Sequence, residues 1–245
     1  MKQIINRYLK KLGVELHGTG YLQSLAKGEF KKDAFVVQKE LTQAQPVKMI
    51  FDIGANRGDV ITKYLEYFPS AFFHAFEPFP GSFETLKARF ENNSSVQCHQ
   101  LALANSAGVR QLYVNKNVDT NSLLKPQATG LSSDSQVENQ SVLDIETTTL
   151  DLFCSREKID RIDILKMDVQ GGELGILQGA VNLLKENRIG VIYSETYFVE
   201  QYAEQPLFHE IAAFLHPFGY HLQDIYSPIY GKGSIAWADV IFIKK

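Results

Sequence analysis

Cysteine is nearly absent from this chain. Cys98 and Cys154 stand alone and far apart, with no Cys-x-x-Cys and no Cys/His cluster beside them. That excludes a disulfide scaffold and a thiolate zinc site, and it suits a reducing compartment in which both thiols pack as small apolar groups. Neither sign of charge dominates: 25 Lys and Arg face 28 Asp and Glu, for a net charge of -3. With a pI near 6.1 there is no basic field to recruit nucleic acid as the main partner. Long apolar runs are missing as well, none approaching the roughly 18 residues of a membrane span. The first dozen residues lack the apolar core and small-residue cleavage site of a signal peptide. The expectation is a cytoplasmic protein without internal repeats.

What is present is enough for a large core, since 44% of the 245 residues are hydrophobic and 22% charged. Residues 1–46 read as an N-terminal helical extension broken by Gly13, Gly18 and Gly20. Its start is amphipathic, with Ile4, Ile5, Tyr8, Leu9 and Leu12 on one face and Arg7, Lys10 and Lys11 off it. Such a helix packs on its own domain, on a second copy in a homo-oligomer, or weakly on a membrane surface, the first being the expectation. Residues 47–245 form the second unit.

That unit is organised around Met49-Ile50-Phe51-Asp52-Ile53-Gly54-Ala55-Asn56-Arg57-Gly58-Asp59. An apolar run reads as a buried strand, the glycines as a turn, and Val60 to Leu65 as a helix. Strand, glycine turn and helix open a nucleotide-binding α/β unit, in which free N–H groups of the first helical turn meet the ligand. Further strands are expected at 71–76, 95–100, 111–114, 142–148, 162–168, 190–194, 219–225 and 240–243. Helices are expected between them, including one over Leu174–Glu186. The alternation predicts a single doubly wound, Rossmann-like sheet, mostly parallel, with an antiparallel C-terminal edge strand. Residues 115–140, rich in Asn, Ser, Gln and Thr, read as a loop near the binding site.

Ligands of such sheets bind beyond the carboxyl ends of the strands, where Asp52, Glu77, Asp168 and Glu195 all fall. Any one of them could simply cap the next helix; four together argue for a site. Glu77 follows the glycine turn by about 20 residues, the spacing for an acid that accepts hydrogen bonds from ribose hydroxyls. Both NAD and S-adenosylmethionine satisfy that. The turn itself lacks the Gly-x-Gly-x-x-Gly of a dinucleotide site and carries Asp52, which repels a pyrophosphate and suits an ammonium group.

At this point the sequence resembles a known family. Phe51-Asp52-Ile53-Gly54-Ala55-Asn56-Arg57-Gly58 with Phe76-Glu77-Pro78 is similar to the cofactor motifs of the FkbM-type S-adenosylmethionine-dependent methyltransferases. Thr149-Leu150-Asp151 and Ile164-Leu165-Lys166-Met167-Asp168-Val169-Gln170-Gly171-Gly172-Glu173 match its second signature, continued by Ile176 to Ala180. One departure is Gln170, where the family commonly has Glu. The resemblance implies a class I methyltransferase fold and S-adenosyl-L-methionine as cofactor. It implies that Asp52, Gly54, Asn56 and Gly58 hold the methionine end, Glu77 with Pro78 the ribose, and Leu101 with Ala102 the adenine. Ser122, and Asp168 from the second signature, would also face the cofactor.

Methyl transfer to an alcohol needs an aligned acceptor and a base for one proton. Asp168 is the expected centre, with Glu195 as partner and Glu173 nearby. The same two carboxylates, Asp168 and Glu195, could instead hold Mg²⁺, an alternative placed below the metal-free one. His74 and His99 lie inside strands and read as structural. Tyr197, Phe198, Tyr202, Tyr226, Tyr230 and Trp237 are candidates to stack on a sugar ring. The expected function is O-methylation of a sugar, glycolipid or secondary metabolite. An NAD-dependent oxidoreductase and a non-catalytic S-adenosylmethionine-binding module are the alternatives.

Overall fold

The computed structural model describes residues 33–127, 138–231 and 233–244. The amphipathic stretch at the start of the chain lies outside them. The strands that build the centre are near-continuous apolar runs, as strands covered on both faces must be. These are β1 (Met49–Ile53), β2 (Phe72–Phe76), β7 (Ile162–Met167) and β8 (Ile189–Tyr197), while β3 (Val96–His99) at the rim is only partly buried. They pair in parallel in the order β3-β2-β1-β7-β8. The chain winds outward from β1 to β3 on one side, then returns to start β7 on the other. The reversal leaves a crevice between the carboxyl ends of β1 and β7, where ligands of this architecture bind.

A C-terminal hairpin, β9 (Tyr220–Gly231) and β10 (Ser234–Lys244), completes seven strands. β10 runs antiparallel to β8 on one side and to β9 on the other. The last strand thus sits inside the sheet and β9 forms the rim. Two strands expected in the main sheet leave it: with the short, unexpected β4 (Ala102–Leu103), β5 (Gly108–Asn115) and β6 (Asn139–Thr148) make a separate sheet in the order β4-β6-β5.

Helices cover both faces. On one, α1 (Ala34–Leu41), α2 (Asp59–Tyr67) and α3 (Pro80–Phe90) bury Phe35, Ile61, Tyr64, Leu86 and Phe90 against Ile50, Phe73, Ile164 and Ile241. Although α1 falls within the expected extension, it belongs to the same compact unit as the sheet. Its Gln38 is wholly buried and accepts a hydrogen bond from the Tyr64 hydroxyl at 2.7 Å. On the other face lie α4 (Leu150–Glu157), α5 (Glu173–Gln178), α6 (Val181–Lys185) and α7 (Phe208–Leu215). They pack Phe153, Ile176, Leu184 and Ile211 on Phe51, Leu165, Ile192 and Phe242.

The helix expected over Leu174–Glu186 is split into α5 and α6, for a steric and a polar reason. A Cβ at Gly179 would stand 2.3 Å from the Ala104 carbonyl oxygen, so the backbone of the small sheet presses on the chain there. Asp151 then starts the second piece, its carboxylate accepting from Asn182 N (2.9 Å) and Leu183 N (3.0 Å). Among the described residues no helix is long and apolar enough to cross a membrane.

Candidate active site

A cavity of about 280 Å³ opens beyond the ends of β1, β2 and β7, with the small sheet as its far wall. Its floor comes from the turn after β1. Gly54 N and Ala55 N donate to the Phe76 carbonyl at 3.0 and 2.9 Å, and Asp168 N donates to the Ile53 carbonyl at 3.0 Å. Three strand ends are thereby locked together. Gly54 has φ +76°, and a Cβ there would lie 1.8 Å from the Asp168 carbonyl oxygen. Gly54→Ala is therefore expected to cost about 2–4 kcal/mol through strain and overpacking, read as a lower denaturant midpoint.

Glu77 stands on the cavity wall at the end of β2. Its Oε2 accepts from Asn56 N and its Oε1 from Phe79 N, both at 2.9 Å. Burial pushes its carboxyl up to about 7, against the pull of these two N–H groups. Asn56 and Asn121 also line the cavity, and each uses only part of its amide. Asn56 Nδ2 donates to Asp119 (2.8 Å) while its buried Oδ1 has no partner among the described residues. Asn121 Oδ1 accepts from Asn115 N (2.9 Å) while its buried Nδ2 likewise has none among them. An apolar slot beside them is formed by Phe76, Leu101, Ala102, Leu112, Val118 and Leu123.

Of the residues expected around the cofactor, Gly54, Asn56, Glu77, Pro78, Leu101, Ala102, Ser122 and Asp168 do line this cavity. Asp52 and Gly58 do not. Gly58 caps α2 at φ +85°, and a Cβ would strike Phe90 and Leu86, so its smallness serves packing. Asp52 lies wholly buried under the turn, with Lys166 Nζ 2.9 Å from Oδ1. Apart from this ion pair no hydrogen-bond donor among the described residues reaches either oxygen. Burial raises the Asp52 pKa and Lys166 opposes the rise. For Lys166 burial pulls down, but Asp52 and then Asp168 outweigh it, and the ammonium stays charged. Paired with Lys166 beneath the turn, Asp52 is not on the cavity wall; Asp168 is, its side chain 40% exposed and 3.8 Å from Lys166.

Asp168 and Glu195 come together, joined by a residue that sequence reasoning noted only as a departure. Gln170 Nε2 donates to Asp168 Oδ1 (3.0 Å) and to Glu195 Oε2 (2.9 Å). The amide thereby separates two acids that repel each other when both are charged. Burial, then the charge of Asp168, pushes the Glu195 carboxyl well above the usual range. The amide nitrogen occupies the interval in which a cation shared by these two residues would sit. Among the described residues no group of three or more His, Cys, Asp or Glu is arranged to hold a metal.

Glu173 is not brought to the cavity. It is buried under the turn before α5, where Oε1 accepts from Val169 N (2.9 Å) and Gly171 N (3.3 Å), and burial pushes its carboxyl up to about 7. His74 and His99 face each other at 2.9 Å against Phe76 and Phe153, away from the cavity. Burial pushes both down to about 4, so the pair is neutral at pH 7. The C-terminal aromatics do not form one patch. Tyr197 and Tyr202 are buried, Tyr226 joins the core, Phe198 stacks on Phe208 at 5.1 Å, and Tyr230 is exposed.

Residues 52–222 match the family model described as the methyltransferase FkbM domain. The chain is similar to 2-O-methyltransferase NoeI of Sinorhizobium fredii (strain NBRC 101917 / NGR234), at 25% identity over 83% of this chain and 84% of that one. It is also similar to 31-O-demethyl-FK506 methyltransferase FkbM of Streptomyces tacrolimicus, at 28% identity over 56% of this chain and 61% of that one. Among solved structures it is similar to a precorrin-6y C5,15-methyltransferase from Geobacter metallireducens GS-15. That likeness has 12% identity and a TM-score of 0.47, and it covers 88% of this chain and 89% of that one.

Proposed function

The chain belongs to the FkbM methyltransferase family, and from that premise we propose that it moves the methyl group of S-adenosylmethionine to a hydroxyl oxygen of a sugar, glycolipid or secondary metabolite. The observation that carries the cofactor assignment is the Glu77 carboxylate at the end of β2, set beside an apolar slot on the wall of the crevice. Such a carboxylate accepts from a ribose diol, and the slot takes a flat base. The half-used amides of Asn56 and Asn121 supply an acceptor and a donor for the ligand's remaining polar groups. With Glu77 and Asp168 both on the wall, a pyrophosphate would meet two carboxylates, which disfavours NAD.

The cofactor brings its own activated methyl group. What remains for the chain is to seat the acceptor hydroxyl near Asp168 and to take its proton as the C–O bond forms. Asp168 is the residue assigned to that end of the cavity, with Glu195 behind it. The hydroxyl acceptor class is supported by the two O-methyltransferases to which the chain is similar.

Calorimetry with S-adenosylhomocysteine and with NAD tests the cofactor, and heat with NAD alone would refute it. Transfer of a labelled methyl group to a panel of glycans and polyols then tests the acceptor class. The pH dependence of binding is a sharper check on Glu77. A ligand that donates to its carboxylate favours the charged form, so below pH 7 binding must expel a proton. The dissociation constant for S-adenosylhomocysteine should be flat above about pH 8 and rise about tenfold per unit as pH falls below about 7. Glu77→Gln should bind more weakly with the pH slope removed; an unchanged slope would place the titrating group elsewhere.

A further inference from the structure

We propose that Gln170 is a positioning residue whose amide nitrogen replaces a bridging cation, holding Asp168 and Glu195 side by side through one hydrogen bond to each, at 3.0 and 2.9 Å. Two carboxylates converging on one point need a proton, a cation or a double N–H donor between them. A primary amide is the neutral side-chain group that offers two hydrogens from one nitrogen.

The amide nitrogen faces the two acids, and its oxygen lies within reach of two phenol hydroxyls, Tyr197 OH at 2.8 Å and Tyr202 OH at 3.0 Å, the latter also 3.0 Å from the Thr120 carbonyl. Tyr197 OH also lies 2.8 Å from Glu195 Oε2. The Gln170 backbone is pinned as well, at φ +57°, with its carbonyl accepting from Ser122 Oγ at 2.7 Å.

Other charges do not do this work. Lys166 lies closest to Asp52 and stands 3.8 Å from Asp168 on the opposite oxygen, Oδ2. No ion pair to Glu195 occurs among the described residues. The remaining neighbours, Asp239 across from Glu195 on β10 and Glu173 in α5, add negative charge. The surroundings attract a cation and the amide keeps one out. The meaning of this clamp for methyl transfer rests on the function proposed above; the test that follows does not.

Manganese binding to the full chain is measured by calorimetry for the parent, for Gln170→Glu and for Gln170→Met. The parent is expected to show no binding at millimolar Mn²⁺. Gln170→Glu, with three carboxylates and no amide, should bind one ion at least about tenfold more tightly than the parent. Gln170→Met keeps the reach without the donors and should also gain affinity, so it decides the matter if Gln170→Glu does not fold. Adding Glu195→Gln should abolish the gain. A parent that binds Mn²⁺ as tightly as the variants, variants that gain nothing, or a gain that survives Glu195→Gln would each overturn the proposal. If Gln170 only filled space, Gln170→Met would leave cation affinity unchanged. S-adenosylhomocysteine binding by the parent is measured alongside. Failure of the parent to bind it would refute the cofactor assignment and leave the Mn²⁺ comparison intact.

Discussion

Lys166→Met is expected to cost the fold about 3–5 kcal/mol near pH 8, a large share of a typical domain's stability. The reason is the carboxylate left behind. Asp52 is wholly buried and no other donor among the described residues reaches it. Without Lys166 it must stay charged in an apolar setting or take a proton. Burial already raises its pKa, and losing the ammonium raises it further. A carboxyl with a raised folded pKa contributes stability at low pH that is lost as pH rises through that pKa. The variant's deficit should therefore shrink toward pH 5 and widen toward pH 8, as read from urea midpoints at the two pH values. Lys166→Met combined with Asp52→Leu should recover most of the loss, because an apolar pair of similar volume replaces a buried ion pair at little cost. A single variant as stable as the parent at pH 8 would show that the pair contributes nothing.

Asp168→Asn is expected to lower the rate of methyl transfer by about 10²–10⁴-fold, the usual worth of a positioned base. Among the strand-end carboxylates Asp168 alone is both on the cavity wall and 40% exposed at its side chain. Asn keeps the size and can still accept from Gln170, so S-adenosylhomocysteine affinity should change far less than the rate. The comparison uses the acceptor found in the labelled-methyl screen, with kcat and KM measured separately. Equal rates for parent and variant would remove Asp168 from the chemistry. A parent that binds cofactor but transfers to no acceptor would favour the binding-module alternative.

The main sheet was legible because its strands are buried on both faces and its turns are marked by Gly54, Gly58, Gly171 and Gly172. The small sheet was not. β4 is two residues long, and its pairing to β6 joins Ala102 to Thr147 across a stretch with no local signal. Asp52 and Asp168 look alike from sequence, each an acid at a strand end. What separates them is Lys166, which falls two residues before Asp168 and so on the same face of β7. A lysine inside the apolar run Ile162–Met167 was a signal that a buried acid had to answer it. Gln170 gave only a mismatch with the family pattern, since nothing in a lone Gln announces four partners from three segments of chain. Glu173 shares the motif with Asp168, yet its carboxylate turns back to accept from Val169 N and Gly171 N in the turn before α5.

The place of β10 bears on how the molecule is made. β9 leaves the ribosome before β10, yet β10 is the strand that touches β8. During synthesis β8 must wait with one edge bare while β9 has nothing to pair with. Closure comes only when Ser234–Lys244 has emerged. A transcript ending before Ser234 would thus yield two unpaired strand edges rather than a trimmed rim, a state prone to intermolecular strand pairing and proteolysis.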